Sequence, residues 1–181
     1  MILAWLALIA VTGTVIWLFN RLVTDRNQVA ASWSDIDVQL QRRHDLVPRL
    51  VDVVKAYAAH ESGLFERVAE ERTRSRATSG AAAKGDVEID LGRDLTRLLA
   101  VAEAYPELKA SANFAQLSSE LVEVEEHLQH ARRFYNGSVR QYNDRCQQFP
   151  HLLVARSFGF HAAEFFAAGD GANVVPDVSL S

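Results

Sequence analysis

The longest stretch without a charged side chain stands at the start of the chain, over residues 1–19. As a helix that rises about 1.5 Å per residue, it would span about 28 Å, close to the hydrocarbon core of a bilayer, which is roughly 30 Å thick. Trp5 and Trp17 lie near its two ends, where aromatic side chains meet the membrane interface. The pattern therefore predicts a transmembrane anchor over residues 1–19.

Two other interpretations of this stretch remain open, a cleaved signal peptide and a buried helix of a soluble domain. A signal peptide normally has basic residues ahead of its apolar run and small residues at its cleavage site. Here the first basic residue is Arg21, and the run ends in Trp17, Leu18 and Phe19. These features favour a retained anchor.

The charges that follow the anchor indicate its orientation. No basic side chain precedes the span, whereas Arg21 and Arg26 follow it within a few residues. Basic residues favour the cytoplasmic side of a membrane. We therefore expect a short N-terminus outside and a cytoplasmic body, although Asp25 offsets part of the positive charge.

The helical pattern continues beyond the anchor, because apolar residues recur on one face at 3.6 residues per turn. These residues are Leu18, Leu22, Val29, Trp33, Ile36 and Leu40. No Gly or Pro lies between Asn20 and His44, so one continuous helix is expected to leave the bilayer. A second helix is predicted from about Leu46, because Pro48 is tolerated in a first turn and Asp45 suits an N-cap. A kinked continuation of the first helix is the alternative.

The second and third helices follow from the same periodicity. The second has the apolar face Leu46, Leu50, Val53, Val54, Tyr57, Leu64, Phe65 and Val68, and the third has Ile89, Leu91, Leu95, Leu98 and Ala102. Between them, over residues 73–86, the periodicity disappears and Gly80 and Gly85 occur. This segment is predicted to be the most exposed loop.

A long fourth helix opens at Pro106 or Ser111 and is closed by Pro150. Its face consists of Phe114, Leu117, Leu121, Val124, Leu128, Ala131, Tyr135, Val139, Tyr142 and Cys146. The apolar segment 151–169 would pack as a lid, and residues 167–181 are predicted to be a disordered tail. The sequence thus predicts an all-α protein, whose transmembrane helix continues into an antiparallel four-helix bundle over residues 20–166.

Composition removes several function classes. The net charge is −4 at pH 7, and Lys and Arg are scattered among acidic residues over the 181 positions. This balance gives no polyanion-binding pattern, so no nucleic-acid partner is expected. The single cysteine, Cys146, excludes an intrachain disulfide framework and a thiolate zinc site.

Four blocks of the chain, in order, resemble the LemA family from the anchor to about Phe166. They are FNRLVTDRNQVAASWSDIDVQLQRRHDLVPRLVDVVKAYAAHE, AYPELKASANFAQLSSEL, ARRFYNGSVRQYN and FPHLLVA. The resemblance implies a bacterial inner-membrane protein with one N-terminal transmembrane helix, a helical bundle and no established biochemical activity. The family's recurrent positions correspond here to Arg42, Arg43, Asp45, Pro48, Glu61, Asn113, Tyr135, Asn136 and Asn143. Arg49 is a departure, since the family commonly has Asn there, so an obligatory ligand is not expected at this position.

Motifs for catalysis or metal binding are not found in the sequence. A di-metal carboxylate bundle needs Glu-x-x-His on two helices, and the chain has no such spacing. His127 and His130, with the glutamates beside them, point away from the apolar face and are interpreted as surface residues. No nucleophile stands at a recognisable spacing from His44 or His60, and no phosphate-binding loop occurs. We expect no catalytic residue, no metal and no cofactor.

Polar side chains on or beside the apolar faces form the candidate site. The members are Arg42, Arg43, Asp45, Glu61, Asn113 and Arg132. A carboxylate in the middle of an apolar stripe must be paired if it is buried, so we expect Glu61 to pair with Arg132 or with an arginine of the 42–43 pair. A network that fixes helix register is favoured over a ligand site.

Two function classes follow. The favoured one is a non-enzymatic, membrane-tethered interaction or scaffold module, with the lipid bilayer as partner of residues 1–19 and a further protein, or a second copy, as partner of the body. The alternative is a sensor or enzyme that binds a small ligand at the polar network, and it requires a concave pocket near Glu61.

Overall fold

The computed structural model describes residues 1–167, and this range is all-α. Its helices are α1 (Ile2–Lys55), α2 (Ser62–Ala77), α3 (Ala81–Glu103), α4 (Pro106–Lys109), α5 (Ala112–Gln147) and α6 (His151–Ser157), with no strand among the described residues. The all-α prediction, with an apolar N-terminal helix continuing into the body, is confirmed. Apart from Ala167, the predicted tail 167–181 lies outside the described residues.

Helix α1 runs without interruption through Pro48 to Lys55, so the predicted helix start at Leu46 is wrong and the alternative of a continuation is correct. A proline has no N–H and leaves the carbonyl four residues earlier without its helical donor. That carbonyl belongs to His44, and Arg72 Nε of α2 donates to it over 2.7 Å. A tertiary partner therefore replaces the missing hydrogen bond and lets the helix continue.

The two ends of α1 differ in burial. Its first residues, up to Trp17, are all exposed, whereas Leu18, Leu22, Ile36 and Leu40 are buried. By length and composition, α1 is the one helix of the described residues that could cross a membrane. The apolar residues before Trp17 are thus left exposed, and the run meets other parts of the protein only at its end.

The chain divides into two compact units. The second unit comprises Gln39–Leu128 together with Phe166 and Ala167, and its core draws on α1, α2, α3, α4 and α5. The core residues are Leu46, Val47, Leu50, Val54, Ala58, Leu64, Phe65, Val68, Leu91, Leu95, Leu98, Ala102, Leu108, Phe114, Leu117, Leu121 and Val124. Most of them lie on the faces that the periodicity predicted.

The loop predicted over residues 73–86 is helical except at residues 78–80, so that prediction is wrong. The segment is rich in Ala, a good helix former, and Ser75 is fully buried. Gly85 is also buried, and a Cβ there would come within 2.5 Å of the backbone nitrogen of Ala167. This glycine serves close packing rather than a turn.

The first unit comprises Met1–Val38 and Gln129–Phe165. Around Leu18 and Leu22 of α1 its core gathers Tyr142, Cys146, Val154 and Ala155. Farther toward the C-terminal end of α1, the Trp33 ring packs edge to face against the Tyr135 ring, with 5.4 Å between centroids. Within this unit α1 and α5 therefore run antiparallel.

Candidate functional site

Four polar side chains from three helices are buried together in the second unit. Arg43 and His44 come from α1, Ser75 from α2 and Glu88 from α3, and between 0% and 3% of each residue is exposed. Consecutive residues on α1 both reach the cluster, and Glu88 stands on the α3 face that also carries Leu91. We call these four residues the buried polar cluster.

Glu88 is the centre of this cluster. Its Oε2 atom lies 2.6 Å from Nη1 of Arg43, and its Oε1 atom lies 2.8 Å from Nε2 of His44. The hydroxyl of Ser75 donates to the same Oε1 atom. Arg43 Nη1 also donates to the Glu88 carbonyl oxygen over 3.2 Å. The carboxylate thus joins α3 to both α1 and α2.

Arg43 has a second acidic partner on α5. Its Nε atom lies 2.7 Å from Oε1 of Glu125, whose side chain is about one third exposed. A Cβ at Gly92 would lie only 3.0 Å from Arg43 Nη2, so the glycine leaves room for the guanidinium. A buried arginine is tolerated when acceptors match its donors. Nη1 is matched by Glu88, whereas Nε lies close to the Glu125 carboxylate without forming a well-aligned hydrogen bond.

The electrostatics of the cluster favour an ionised Glu88. Burial by itself raises the pKa of a carboxyl group, but the hydrogen bond from His44, the charge of Arg43 and the hydrogen bond from Ser75 outweigh it and lower the pKa of Glu88 to about 2. Removing the negative charge would leave Arg43 buried with only its more exposed partner. The cluster is therefore held together by charge as well as by packing.

Ser75, His44 and Glu88 share the residue types of a hydrolase triad but not its arrangement. In a triad the serine and the carboxylate bind opposite nitrogens of the imidazole. Here both contact Nε2 of His44, and the Ser75 hydroxyl donates to Glu88. All three side chains are also sealed from solvent. This arrangement ties helices together and does not activate a nucleophile.

Glu61 does not join the cluster. It is exposed and occupies the residue before α2, so the expectation that it is buried is wrong, and Arg43 pairs with Glu88 instead. The reason is the break between α1 and α2 at residues 56–61, which ends the helical phase on which the predicted stripe relied. Asn113, in the first turn of α5, is exposed as well.

Arg42 and Asp45 are exposed and line a shallow cleft of about 270 Å³ in the second unit. The other lining residues are Leu46, Arg49, Glu120, Glu123 and Val124. Gln41 donates to Asp45 Oδ1 over 3.1 Å. The sequence analysis placed Arg42 and Asp45 in one network with Arg43. In the helix, however, Arg42 and Asp45 lie on the exposed face, whereas Arg43 lies on the buried one.

The remaining predicted positions fall in the first unit or inside α1. Asn143 makes two hydrogen bonds with the backbone of Ala163, donating to its oxygen over 2.9 Å and accepting from its nitrogen over 2.8 Å. Tyr135 donates to the Glu164 carbonyl oxygen over 2.8 Å. Arg132 and Asn136 are half-buried. Two family positions therefore hold the irregular segment that follows α6.

Sequence reasoning missed His44, Ser75 and Glu88. Glu88 could have been found, because it precedes Leu91, Leu95 and Leu98 at helical spacing. The predicted loop over residues 73–86 included Ser75 and the first residues of α3, the helix that carries Glu88. No pattern in the sequence distinguishes Ser75 from its exposed neighbours.

Chemistry at other sites is limited. Among residues 1–167, no group of three or more His, Cys, Asp or Glu side chains is placed to hold a metal ion. Burial raises the pKa of the Cys146 thiol, so the reactive thiolate is disfavoured.

Comparison with known proteins decides the family. The model of the LemA family matches residues 32–180, which is most of the chain. The chain belongs to the LemA family. Among curated proteins, this LemA-family chain is 27% identical to Magnetosome protein MamQ 2 of Paramagnetospirillum magneticum, over 98% of the chain and 76% of the relative.

Two further relatives extend this comparison. Magnetosome protein MamQ of Magnetospirillum gryphiswaldense is 26% identical, over 96% of this LemA-family chain and 74% of the relative. Protein LemA of Metamycoplasma hominis is 24% identical, over 88% of the chain and 74% of the relative. The likeness therefore includes the apolar N-terminal helix as well as the body.

Proposed function

We propose that this LemA-family chain is a single-pass protein of the bacterial inner membrane whose helical body is a non-catalytic interaction or scaffold module. The observation that carries the proposal is the division of α1, where an exposed apolar run up to Trp17 continues directly into a buried helix. A continuous helix transmits position from the bilayer to the body without a flexible linker. Such a connection suits a protein that holds a partner at a fixed distance from a membrane.

The chemistry of the second unit supports the non-catalytic part of the proposal. The buried polar cluster pairs Arg43 with Glu88, and the Ser75 hydroxyl donates to Glu88. The names of these relatives refer to the magnetosome or to the family, and none of them names a reaction. A structural role for the cluster accounts for its geometry without a substrate.

A topology experiment tests the membrane arrangement. Green fluorescent protein and alkaline phosphatase would be fused in turn to the C-terminus of the full chain. We expect fluorescence from the first fusion and no phosphatase activity from the second, because Arg21 and Arg26 favour a cytoplasmic body. The opposite pair of results would reverse the orientation.

Site-specific photo-crosslinking in native membranes tests the interaction role. A photoreactive amino acid would replace Phe134, which lies on α5 with 54% of its surface exposed. The matched control is Gln129, an exposed polar residue of the same helix. We expect a discrete adduct from position 134 and none from position 129. Unmodified monomer from both positions would argue against a partner on this face.

A small-ligand role is the second candidate, and the cleft lined by Arg42, Arg49 and Glu120 is the observation that favours it. Its volume, about 270 Å³, is near the lower limit of small-molecule pockets. A thermal-shift screen of the full chain with organic acids would test this role, with the Arg42→Ala, Arg49→Ala double variant as control. A shift that the double variant loses would favour the ligand role over the scaffold role.

A further inference from the structure

The segment after α5 lies beside the end of the apolar run. The ring of His151 is 6.1 Å from that of Trp17, and the ring of Phe158 is 5.0 Å from that of Phe19. Val154 and Ala155 of α6 are buried in the core that contains Leu18. Residues 149–160 therefore stand at the level where α1 changes from apolar to charged sequence.

This segment exposes large apolar side chains even though α6 is packed on its other face. Phe149 is 79% exposed, Leu153 is 58% exposed and Phe158 is 57% exposed. Outside the first 17 residues, no large apolar side chain of residues 1–167 is more exposed than Phe149. These three residues lie within ten positions of the chain, and we call them the apolar patch, since grouped exposed apolar side chains mark an interaction or membrane surface.

The charge of the segment has one sign. From Phe149 to Ala163 the sequence contains Arg156, His151 and His161 and no acidic residue. Arg156 is exposed, as is Arg21, which follows the apolar run. Basic side chains next to apolar ones suit the anionic headgroup region of a bilayer.

We propose that residues 149–160 form a second membrane contact, in which Phe149, Leu153 and Phe158 enter the interfacial region of the bilayer that α1 crosses. The inference rests on the proposed membrane anchor and adds to it a site that fixes how deep the body sits. The occupant of the patch is the lipid surface, because the patch is continuous with the apolar run through the contacts of Trp17 and Phe19.

The path of the chain beyond α6 agrees with this placement. Phe160 contacts Phe19 and also lies under the guanidinium of Arg26, 5.3 Å from its ring centroid. The carbonyl oxygen of Ala163 then accepts a hydrogen bond from Asn143, and the carbonyl oxygen of Glu164 accepts one from Tyr135. The chain thus leaves the level of the apolar run after Phe160, which agrees with a lipid contact over residues 149–160.

Spin-label accessibility on the full chain in lipid nanodiscs tests the proposal. Single cysteines would replace Phe149, Leu153 and Phe158 in a Cys146→Ala background and carry a nitroxide. Lipid-facing labels collide often with oxygen and rarely with the water-soluble quencher nickel-EDDA. We expect several-fold lower nickel-EDDA accessibility at these three positions than at Gln129, an exposed residue of α5 roughly 27 Å before its end at about 1.5 Å per residue.

A label at Leu8, in the middle of the apolar run, separates the two proposals. If Leu8 is shielded from nickel-EDDA and Phe149 is as accessible as Gln129, the second membrane contact is overturned and the anchor stands. If Leu8 is accessible, the anchor itself fails and the contact fails with it. Spin–spin broadening at Phe149 would show a second copy on the patch and would also overturn the lipid contact. Circular dichroism of each variant confirms that the helices are retained.

Discussion

Both units join helices through a largely buried ion pair, Arg43–Glu88 in the second and Asp25–Arg145 in the first, but they differ in their other buried polar groups. In the second unit, Arg43 and His44 of α1 both bind the carboxylate of Glu88 on α3. In the first unit, Asn143 and Tyr135 are neutral and bind the backbone of an irregular segment. The comparison teaches that charged side chains fix helices against each other, whereas amide and hydroxyl groups hold a segment whose backbone forms no regular secondary structure.

The largest expected effect is the loss of the charge at the centre of the second unit. Glu88→Ala leaves Arg43 buried with only Glu125 as acidic partner, and an uncompensated buried charge costs about 3–5 kcal/mol. The free energy of unfolding would be measured by urea denaturation in detergent, followed by circular dichroism. Glu125→Ala is the matched control, because Glu125 binds the same arginine from a partly exposed position, and we expect a loss below about 1 kcal/mol. Equal losses from the two substitutions would show that burial of the carboxylate does not decide how strongly it stabilises Arg43.

Acid should weaken the charged cluster before it affects the neutral contacts. The pKa of Glu88 is about 2 in the folded protein against 4.5 for an ordinary glutamate, so the unfolded chain takes up the proton first. The stabilisation is complete above about pH 4.5 and is lost as the pH falls toward 2, and the difference corresponds to about 3 kcal/mol. Unfolding free energies of the native chain and of Glu88→Gln, measured between pH 7 and 3, should converge at the acid end. Parallel curves would contradict the low pKa.

Loss of a neutral contact in the first unit should loosen only the segment that follows α6. Asn143→Ala removes two hydrogen bonds to Ala163, which are worth about 1–3 kcal/mol together. We expect faster amide hydrogen exchange over residues 158–166, with little change in the second unit. Gln147→Ala, an exposed site near the end of α5, serves as the control. Faster exchange throughout α5 would instead indicate that Asn143 supports the whole helix.

Much of the fold could be predicted from periodicity alone. The stripe from Phe114 to Cys146 marks the buried face of α5, since a long amphipathic helix repeats its signal many times. The stripe that begins at Leu18 marks α1 equally well. Long elements therefore carry enough local information to be assigned without knowledge of their partners.

The errors share a physical cause, which is dependence on tertiary partners. Helix α1 passes Pro48 because Arg72 arrives from a different helix, and Gly85 marks a close approach to Ala167 inside α3 rather than a turn. The candidate site was affected in the same way. Arg43 could be selected from its place beside a stripe, but its partner Glu88 lay beyond a segment assigned as loop, and Glu61 was assigned to a helix that had already ended.

The smallest expected effect concerns the hydrogen bond that replaces the one lost at Pro48. Here a charged side chain of the second unit binds a backbone carbonyl, as the neutral side chains do in the first unit. Arg72→Leu removes the donor to the His44 carbonyl and should cost about 1–2 kcal/mol. In a Pro48→Ala background the helix supplies its own N–H to that carbonyl, so the same substitution should cost less. A double-mutant cycle by urea denaturation should give a coupling of about 1 kcal/mol. Zero coupling would mean that Arg72 acts through packing, and that the helix passes Pro48 without needing a substitute donor.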